Sequence, residues 1–303
     1  MKVAVTGATG TLGSALVEVL RSRGDAVTVL SRNPDRARDA LGDGVEAVEW
    51  AHPESDPAPA EAFAGADAVL HLAGEPVDQR WNDEAKKRIR DSRELGTRNL
   101  VAGIRAAGAA PKTLVTASAS GYYGPRGDDR VTESDPPGDD FLADVVVRWE
   151  REAHLAEQIG ARIVAMRTGI VLSESGGALG RMLTPFKLGV GGPIAGGRQY
   201  MPWIHSDDVV GAYLFALDNA SVSGAVNLSA PEPVTNREFS KALGRTLHRP
   251  AFAPVPGLAI KALYGEMASI VTGGVRMVPA RLEELGYEFR HPQLGAALDA
   301  AVS

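Results

Sequence analysis

Three glycines near the start of the chain have the spacing of a turn that holds a dinucleotide. Gly7, Gly10 and Gly13 follow a short apolar run and precede a stretch whose apolar residues recur with helical spacing. The first permits a tight turn, the second lets the backbone approach a pyrophosphate, and the third lets the helix pack closely on the strand. The unpaired N–H groups of a helix N-terminus also attract phosphate. The residues assigned to cofactor binding here are Thr6, Gly7, Thr9, Gly10, Thr11, Leu12 and Gly13.

The end of the second predicted strand, 26–30, is where such folds distinguish the two nicotinamide cofactors. An acidic residue there binds a ribose 2′-hydroxyl, whereas a basic residue suits a 2′-phosphate. The residue at this point is Arg32, so we predict NADP as the cofactor and favour NAD less. Arg36 and Arg38 follow, and we interpret them as solvated charges of the next helix.

Hydroxyl groups suited to proton transfer follow the fifth predicted strand, 113–117. Ser118 could polarise a substrate oxygen, and we favour it over Ser120 because it directly follows the strand. Tyr122 and Tyr123 are two alternative proton donors. The competing interpretation is that these serines cap a turn and that Tyr123 supports it. A tyrosine that has no lysine beside it to lower its pKa keeps a pKa of about 10. We therefore expect the tyrosine to act as an acid, which favours reduction of the substrate as the easier direction.

The segment 173–204 combines glycines with cations and aromatic rings, which suits a substrate-binding side. Lys187 and Arg198 could hold an oxyanion of the substrate. Tyr200 and Trp203 could stack on a substrate ring. We therefore assign these four residues to the substrate.

Three further polar residues receive structural interpretations. His71 lies within an apolar run and is expected to be a packed strand histidine. His205 and Asp208 are expected to form a hydrogen-bonded pair beneath the domain junction. No histidine-rich spacing occurs, so the sequence predicts no metal site.

The elements that must position these groups alternate between strand and helix. Strands are predicted at 3–5, 26–30, 45–50, 68–74, 113–117, 162–166 and 225–228. Helices are predicted at 83–107, 141–160 and 258–271, and a capping box at Thr235 and Glu238 begins another that extends to Leu247. This alternation predicts an α/β fold with a doubly wound parallel sheet, an extended Rossmann fold, and a small, mostly helical C-terminal domain on the substrate side. The predicted domains are residues 1–230 and 231–303.

The composition limits the partners that the chain can have. The 303 residues carry a net charge of −6 and include no cysteine, which excludes disulfides and thiolate chemistry and gives no reason to expect nucleic acid or an anionic membrane. The strand and glycine turn at the N-terminus predict no signal peptide, and no apolar run is long enough to span a bilayer. We expect a cytoplasmic protein with a small-molecule substrate, and the oligomeric state is left open, with a homodimer as one option.

Several of these motifs together resemble the extended branch of the short-chain dehydrogenase/reductase superfamily. They are the G-x-x-G-x-x-G turn, the Leu72-Ala73-Gly74 segment, the G-T-x-N-L pattern at 96–100, the S-S-x-x-V-Y-G pattern at 118–124 and the F-x-H-V-x-D pattern at 203–208. The resemblance implies that Leu72, Ala73 and Gly74 line the cofactor. We add Arg93 and Arg167 to the cofactor set.

The chain departs from that superfamily in the helix 141–160. The resemblance calls for a tyrosine and, four residues later, a lysine, but this helix contains neither. One alignment puts Leu142 and Val146 at the two positions, and a shifted alignment puts Asp144 and Arg148 there. The Gly-Tyr-Tyr-Gly and Trp-Glu motifs resemble an epimerase family that carries a C-terminal domain of unknown function. The resemblance implies an NADP-binding epimerase or oxidoreductase acting on a small polar substrate, such as a sugar nucleotide or a carbonyl compound; the alternative is a non-catalytic NADPH-binding sensor or partner-binding protein.

Overall fold

The computed structural model describes residues 1–108, 110–173 and 176–302. Residues 174 and 175 of the predicted substrate-side segment 173–204 lie outside the described residues. The strands are β1 Lys2–Thr6, β2 Ala26–Ser31, β3 Glu46–Glu49, β4 Ala68–His71, β5 Thr113–Ala119, β6 Arg130–Val131, β7 Arg162–Thr168, β8 Ile170–Leu172, β9 Tyr200–Met201, β10 Trp203–His205, β11 Gly224–Leu228, β12 Val234–Thr235 and β13 Arg276–Met277.

Seven of these strands form one sheet in the order β11-β7-β5-β4-β1-β2-β3, and every pair in it is parallel. The order reverses direction on either side of β1, which confirms the predicted doubly wound sheet. Because all strands point the same way, their carboxyl ends meet at one edge, and ligands bind there at the point of reversal. The turn after β1 and the exits of β4, β5 and β7 therefore share one edge.

The helices are α1 Thr11–Ser22, α2 Pro34–Leu41, α3 Asp83–Ala106, α4 Phe141–His154, α5 Gly177–Lys187, α6 Ser206–Asp218, α7 Asn236–Thr246, α8 Gly257–Tyr264, α9 Ala268–Thr272, α10 Ala280–Glu284 and α11 Leu294–Val302. The helix predicted at 258–271 is interrupted, because Gly265 has a φ of +64° and ends α8. Among the described residues, no helix is long and apolar enough to cross a membrane. The cytoplasmic location stays a prediction.

Apolar side chains cover the sheet on both faces. On one face, Leu16 and Leu20 of α1 share a core cluster with Val209 and Tyr213 of α6. On the other, Leu100 and Ile104 of α3 pack in a second cluster. A third cluster combines Trp203 of β10 with Phe239, Leu243 and Leu298 of the C-terminal helices. This third core contains residues from both sides of residue 230, and the domain boundary at that point stays a prediction.

One buried carboxylate helps to attach the C-terminal segment to the rest of the chain. Asp208, fully buried near the N-terminus of α6, accepts hydrogen bonds from the backbone N–H groups of Arg290 at 2.6 Å and His291 at 3.0 Å. Its own carbonyl oxygen accepts a bond from the hydroxyl of Tyr287 at 3.0 Å. Asp208 therefore bonds to the C-terminal backbone rather than to His205, the partner predicted from the sequence.

We expect Asp208→Asn to destabilise the fold, because an amide has one acceptor oxygen and leaves a buried N–H unpaired. The expected loss in the free energy of unfolding is about 1–3 kcal/mol, measured by urea denaturation. The control is Asp207→Asn, whose carboxylate is half exposed, with an expected change of about 0–1 kcal/mol. Equal losses in the two variants would contradict the assignment.

Candidate functional site

The backbone of the glycine turn is packed so closely that two of its glycines cannot be replaced without displacement. Gly7 has a φ of +69°, and a Cβ there would lie 2.7 Å from the carbonyl carbon of Leu72. A Cβ on Gly13 would lie 2.2 Å from the carbonyl oxygen of Gly7. These contacts bring the N-terminus of α1 against the end of β1, as the sequence predicted.

A Cβ on Gly10 would displace none of the described atoms, in contrast to one on Gly7 or Gly13. The nearest atom to a Cβ placed there is the carbonyl oxygen of Gly7, at 3.4 Å. Gly10 is the N-cap of α1, and within the described part of the chain no side-chain hydrogen bond caps this helix. Thr9, Gly10 and Thr11 are exposed, while Leu12 is half buried against the core. The open approach and the uncapped N–H groups fit a phosphate group, so the residues present suit a dinucleotide.

Thr6 lies beneath this turn rather than on it. It is buried, and its hydroxyl pairs with Nδ1 of His71 at 2.7 Å and accepts a longer bond from the N–H of Ala73 at 3.3 Å. Nε2 of His71 pairs with the hydroxyl of Thr97 at 2.9 Å. Burial, helped by the charge of Arg93, lowers the pKa of His71 to about 4. His71 is a packed strand histidine, as the sequence indicated. The sequence did not indicate that Thr97 is its second hydrogen-bond partner.

The exit of β4 and the side chain of Arg93 meet beside the turn. Leu72 and Ala73 are half buried and Gly74 is exposed. A Cβ on Gly74 would lie 3.3 Å from the guanidinium carbon of Arg93. That guanidinium donates to the carbonyl of Glu75 at 2.9 Å and lies over the ring of Trp149 at 5.0 Å. Burial lowers the pKa of Arg93 to about 10, so it still carries its charge at neutral pH.

Arg32 lies directly after β2 at the same edge of the sheet and is exposed. No hydrogen bond or ion pair engages its side chain within the part of the chain that the structure describes. Arg38, by contrast, pairs with Asp35 at 2.6 Å and bonds to the carbonyl of Ala47 at 3.2 Å. Arg32 is therefore an available cation at the position where a ribose phosphate would lie.

Ser118 is the end of a buried polar network rather than an open hydroxyl. Its Oγ donates a hydrogen bond of 2.6 Å to Oε1 of Glu150. The carboxylate of Glu150 also accepts two bonds from Arg167, at 2.9 and 2.8 Å. Burial opposes the charge of Arg167, but its hydrogen bonds and ion pair with Glu150 outweigh that effect and raise its pKa above the ordinary value. Ser118 and Arg167 are each 4% exposed, so a contact with cofactor or substrate stays a prediction for both.

The two adjacent tyrosines occupy different environments. Tyr123 is fully buried, donates to Oδ1 of Asn227 at 2.7 Å and accepts from Arg167 at 3.0 Å. Burial raises the pKa of Tyr123 to about 12 despite the charge of Arg167. Tyr122 is half buried, its ring centroid lies 3.3 Å from the guanidinium carbon of Arg167, and no described residue forms a hydrogen bond with its hydroxyl. Of the two tyrosines, Tyr122 therefore has the available hydroxyl.

The structure distinguishes the two alignments of α4 that the sequence left open. Leu142 lies against the loop after β5, 3.2 Å from a Cβ placed on Gly121, and Val146 is buried. Asp144 and Arg148 pair with each other at 2.9 Å on the exposed surface of the helix. Leu142 therefore lies beside the loop that carries Tyr122, Val146 is buried on the same helix, and neither can transfer a proton or carry a charge.

The four residues assigned to the substrate are not gathered at one point. Lys187 is exposed at the end of α5, and Arg198 is exposed with no partner within the described ranges. Tyr200 is half buried under the guanidinium of Arg276 at 5.1 Å. Trp203 is 1% exposed and donates from its indole N–H to the carbonyl of Glu232 at 3.1 Å. The structure thus places Trp203 in the third core, and stacking of its ring on a substrate is without support there.

The tertiary fold also creates a group of metal-ligating residues that the sequence did not indicate. His205, Asp207 and His291 each offer a ligand atom within 4.8 Å of the others. The ring centroids of His205 and His291 lie 3.9 Å apart, and the ring planes are tilted by 40°. His205 and His291 are 86 positions apart in the sequence. A motif search compares residues that are close in sequence, so it cannot detect this group. Burial, with the charge of His291, lowers the pKa of His205.

Two family models match the chain. Residues 3–229 match the NAD dependent epimerase/dehydratase family, and residues 255–301 match DUF1731, a domain of unknown function. Epimerase family protein Mb2239 of Mycobacterium bovis is 41% identical over 304 residues, which cover 99% of this chain and 97% of that protein. Epimerase family protein SDR39U1 of Homo sapiens is 38% identical over 308 residues, and the alignment covers both chains completely.

Two solved structures resemble the chain along its whole length. The human epimerase family protein SDR39U1 (isoform 2), crystallised with NADPH, has a TM-score of 0.88 and 37% identity, and the match covers 99% of both chains. A nucleoside-diphosphate sugar epimerase from Corynebacterium glutamicum has a TM-score of 0.80 and 34% identity, over all of this chain and 58% of that one. These matches agree with the seven-stranded sheet described above.

We expect the buried His71 to make stability depend on pH. Its folded-state pKa of about 4 lies below the ordinary 6.5, so the unfolded chain binds a proton that the folded chain excludes. Stability is therefore lost as the pH falls from 6.5 towards 4, by about 3 kcal/mol. The measurement is the free energy of unfolding against pH for the wild type and His71→Asn, with His154→Asn, at a partly exposed position, as control. Parallel curves for the wild type and His71→Asn would show that His71 titrates normally.

Proposed function

The chain belongs to the NAD dependent epimerase/dehydratase family, and from this premise we propose that it binds NADP(H) and transfers a hydride to or from a small polar substrate. The observation that carries the proposal is the open approach to Gly10 beside the available cation Arg32. NADPH, when bound, supplies the hydride through its nicotinamide ring. The human relative crystallised with NADPH supports this choice of cofactor.

Different groups in and around the glycine turn would bind different parts of the cofactor. The N–H groups at the start of α1 would hold the pyrophosphate, because they are exposed and uncapped. Arg32 would hold the 2′-phosphate through a charge-assisted hydrogen bond. Gly74 leaves room for the backbone to approach the ribose, and Arg93 fixes that segment through its bond to the carbonyl of Glu75.

Tyr122 is our proposed proton donor. The hydroxyl of Ser118 donates a hydrogen bond to Glu150, and the hydroxyl of Tyr123 donates one to Asn227. Tyr122 has no such partner among the described residues, and its ring lies on the guanidinium of Arg167. Ser118 and Tyr123 then act as positioning residues: Ser118 is connected to Tyr122 through Glu150 and Arg167, and the ring of Tyr123 packs edge-on against that of Tyr122 at 5.1 Å. A neutral tyrosine donates a proton more readily than it accepts one, which favours reduction.

The substrate class follows from the cations of the segment 173–204. The exposed guanidinium of Arg198 suits a carboxylate or phosphate of the substrate, and Lys187 and Tyr200 belong to the same segment. A sugar nucleotide or another polar carbonyl compound fits this chemistry. The similar Corynebacterium glutamicum protein is a nucleoside-diphosphate sugar epimerase, which gives that class additional support.

A non-catalytic NADPH-binding sensor is the second candidate, and one observation favours it. Leu142, beside the loop that carries Tyr122, and Val146, buried on the same helix, supply no proton and no charge. A protein that only binds the cofactor needs neither. The two candidates differ in one measurable property, which is turnover.

We expect Arg32→Ala to weaken NADPH binding about tenfold or more and to leave NADH binding nearly unchanged. A charge-assisted hydrogen bond contributes about 1.5–3 kcal/mol, and only NADPH has the 2′-phosphate that receives it. Isothermal titration calorimetry with both cofactors measures the effect, and Arg36→Ala, which is also exposed, is the matched control. Equal losses for the two cofactors would refute the role of Arg32.

We expect Tyr122→Phe to lower kcat about 10²-fold or more, because a positioned general acid contributes at least that factor. Turnover is measured with NADPH on a panel of carbonyl compounds and sugar nucleotides. Tyr264→Phe is the control, since it also removes one half-buried phenol hydroxyl and Tyr264 is assigned to neither cofactor nor substrate. Full activity of Tyr122→Phe would place the proton donor elsewhere. No turnover on any substrate, together with intact NADPH binding, would favour the sensor.

A further inference from the structure

Helix α7 and the loop after it form a groove lined by positive charge, which we call the basic groove. Its volume is about 690 Å³, within the range of small-molecule pockets. The side chains that give it its character are Arg237, Lys241, Arg245, His248, Arg249 and Phe252. None of them belongs to the glycine turn at residues 7–13 or to the sheet edge that it occupies.

The cations of the basic groove are arranged along one face of a helix. Arg237, Lys241 and Arg245 are four positions apart, so they lie in one row about 12 Å long. Like charges at this spacing repel one another and destabilise a helix. No carboxylate lines the groove among the described residues, although the whole chain has a net charge of −6. A bound anion would relieve this repulsion.

Two of the arginines are held in place by backbone carbonyl groups. Arg237 donates from Nη2 to the carbonyl of Gly196 at 2.9 Å, and Arg249 donates from Nε to the carbonyl of Lys187 at 3.1 Å. Lys241 and Arg245 are exposed, and neither has a hydrogen bond or ion pair within the described ranges. The groove therefore combines two fixed guanidinium groups with two cations that are available to a ligand.

An aromatic ring borders the cations. Phe252 is 80% exposed, which is costly for a large apolar side chain unless something covers it. Pro193 and Ala251 extend the apolar wall beside it. A planar ring could therefore stack on Phe252 while an attached chain of phosphates reaches Arg249, Arg245 and Lys241.

We propose that the basic groove binds a nucleoside polyphosphate, with its phosphates on the row of cations and its base on Phe252. This nucleotide site is separate from the glycine turn at the sheet edge. A row of cations suits several phosphates in sequence, because an arginine can donate two bonds to one phosphate and a lysine supplies a compact positive charge. The concave shape favours a small molecule over a protein partner.

The test uses the full chain carrying one equivalent of NADPH, so that the glycine turn is filled. ATP and inorganic tripolyphosphate are titrated by calorimetry without divalent cations, while NADPH fluorescence reports any displacement. The variants are Lys241→Glu/Arg245→Glu and Phe252→Ala. The matched control is Arg105→Glu/Lys261→Glu, which reverses the same charges at exposed positions outside the groove.

We expect ATP to bind saturably without displacing NADPH, and the groove double variant to weaken ATP and tripolyphosphate at least tenfold. Phe252→Ala should weaken ATP alone, since tripolyphosphate has no base. The control variant should bind both probes as the wild type does. The proposal is overturned by an absence of saturable binding, by ATP that displaces NADPH, or by equal losses in the control. Tighter binding of a poly-glutamate peptide than of ATP would instead assign the groove to an acidic protein partner.

Discussion

Glu150 and Arg167 form a buried ion pair that joins helix α4 to the central sheet. Glu150 also receives the hydroxyl of Ser118 on β5, while Arg167 on β7 donates to the hydroxyl of Tyr123. Tyr123 continues the network to Asn227 on β11, whose amide bonds to the C-terminal segment. Removing one partner would leave an uncompensated charge in the interior, which costs about 3–5 kcal/mol. The pair therefore holds α4, three strands and the C-terminal segment in one arrangement.

This network also determines which groups remain free for chemistry. A hydroxyl that donates its only proton to a buried carboxylate cannot donate it to a substrate at the same time. Ser118 donates to such a carboxylate and Tyr123 to a buried amide oxygen, whereas Tyr122 contacts the network only through its ring. The same interactions that stabilise the site thus leave Tyr122 as the available hydroxyl beside Arg167.

Positive charge that is available to a ligand lies at two separate places, the sheet edge and helix α7. The sheet edge combines the N–H groups of the α1 N-terminus with the exposed cation Arg32, a combination that suits a dinucleotide with one extra phosphate. The row on α7 contains more positive charge but lies in the C-terminal part, next to the segment that carries Lys187 and Gly196. An acidic chain that concentrates cations in two places has two surfaces on which anions are favoured.

The sequence by itself determined the alternation of strands and helices, the glycine turn with its helix, the cation after β2 and the lack of a Tyr–Lys pair in α4. These features depend on periodicity and on the steric needs of glycine within a few residues, so they can be read locally. The tertiary structure alone decided that Glu150 takes the hydroxyl of Ser118, that Leu142 lies beside the loop after β5, and that His205 meets His291. Each of these contacts joins residues that are distant along the chain. Which side chains meet across such distances depends on how helices pack on the sheet, and no local pattern contains that information.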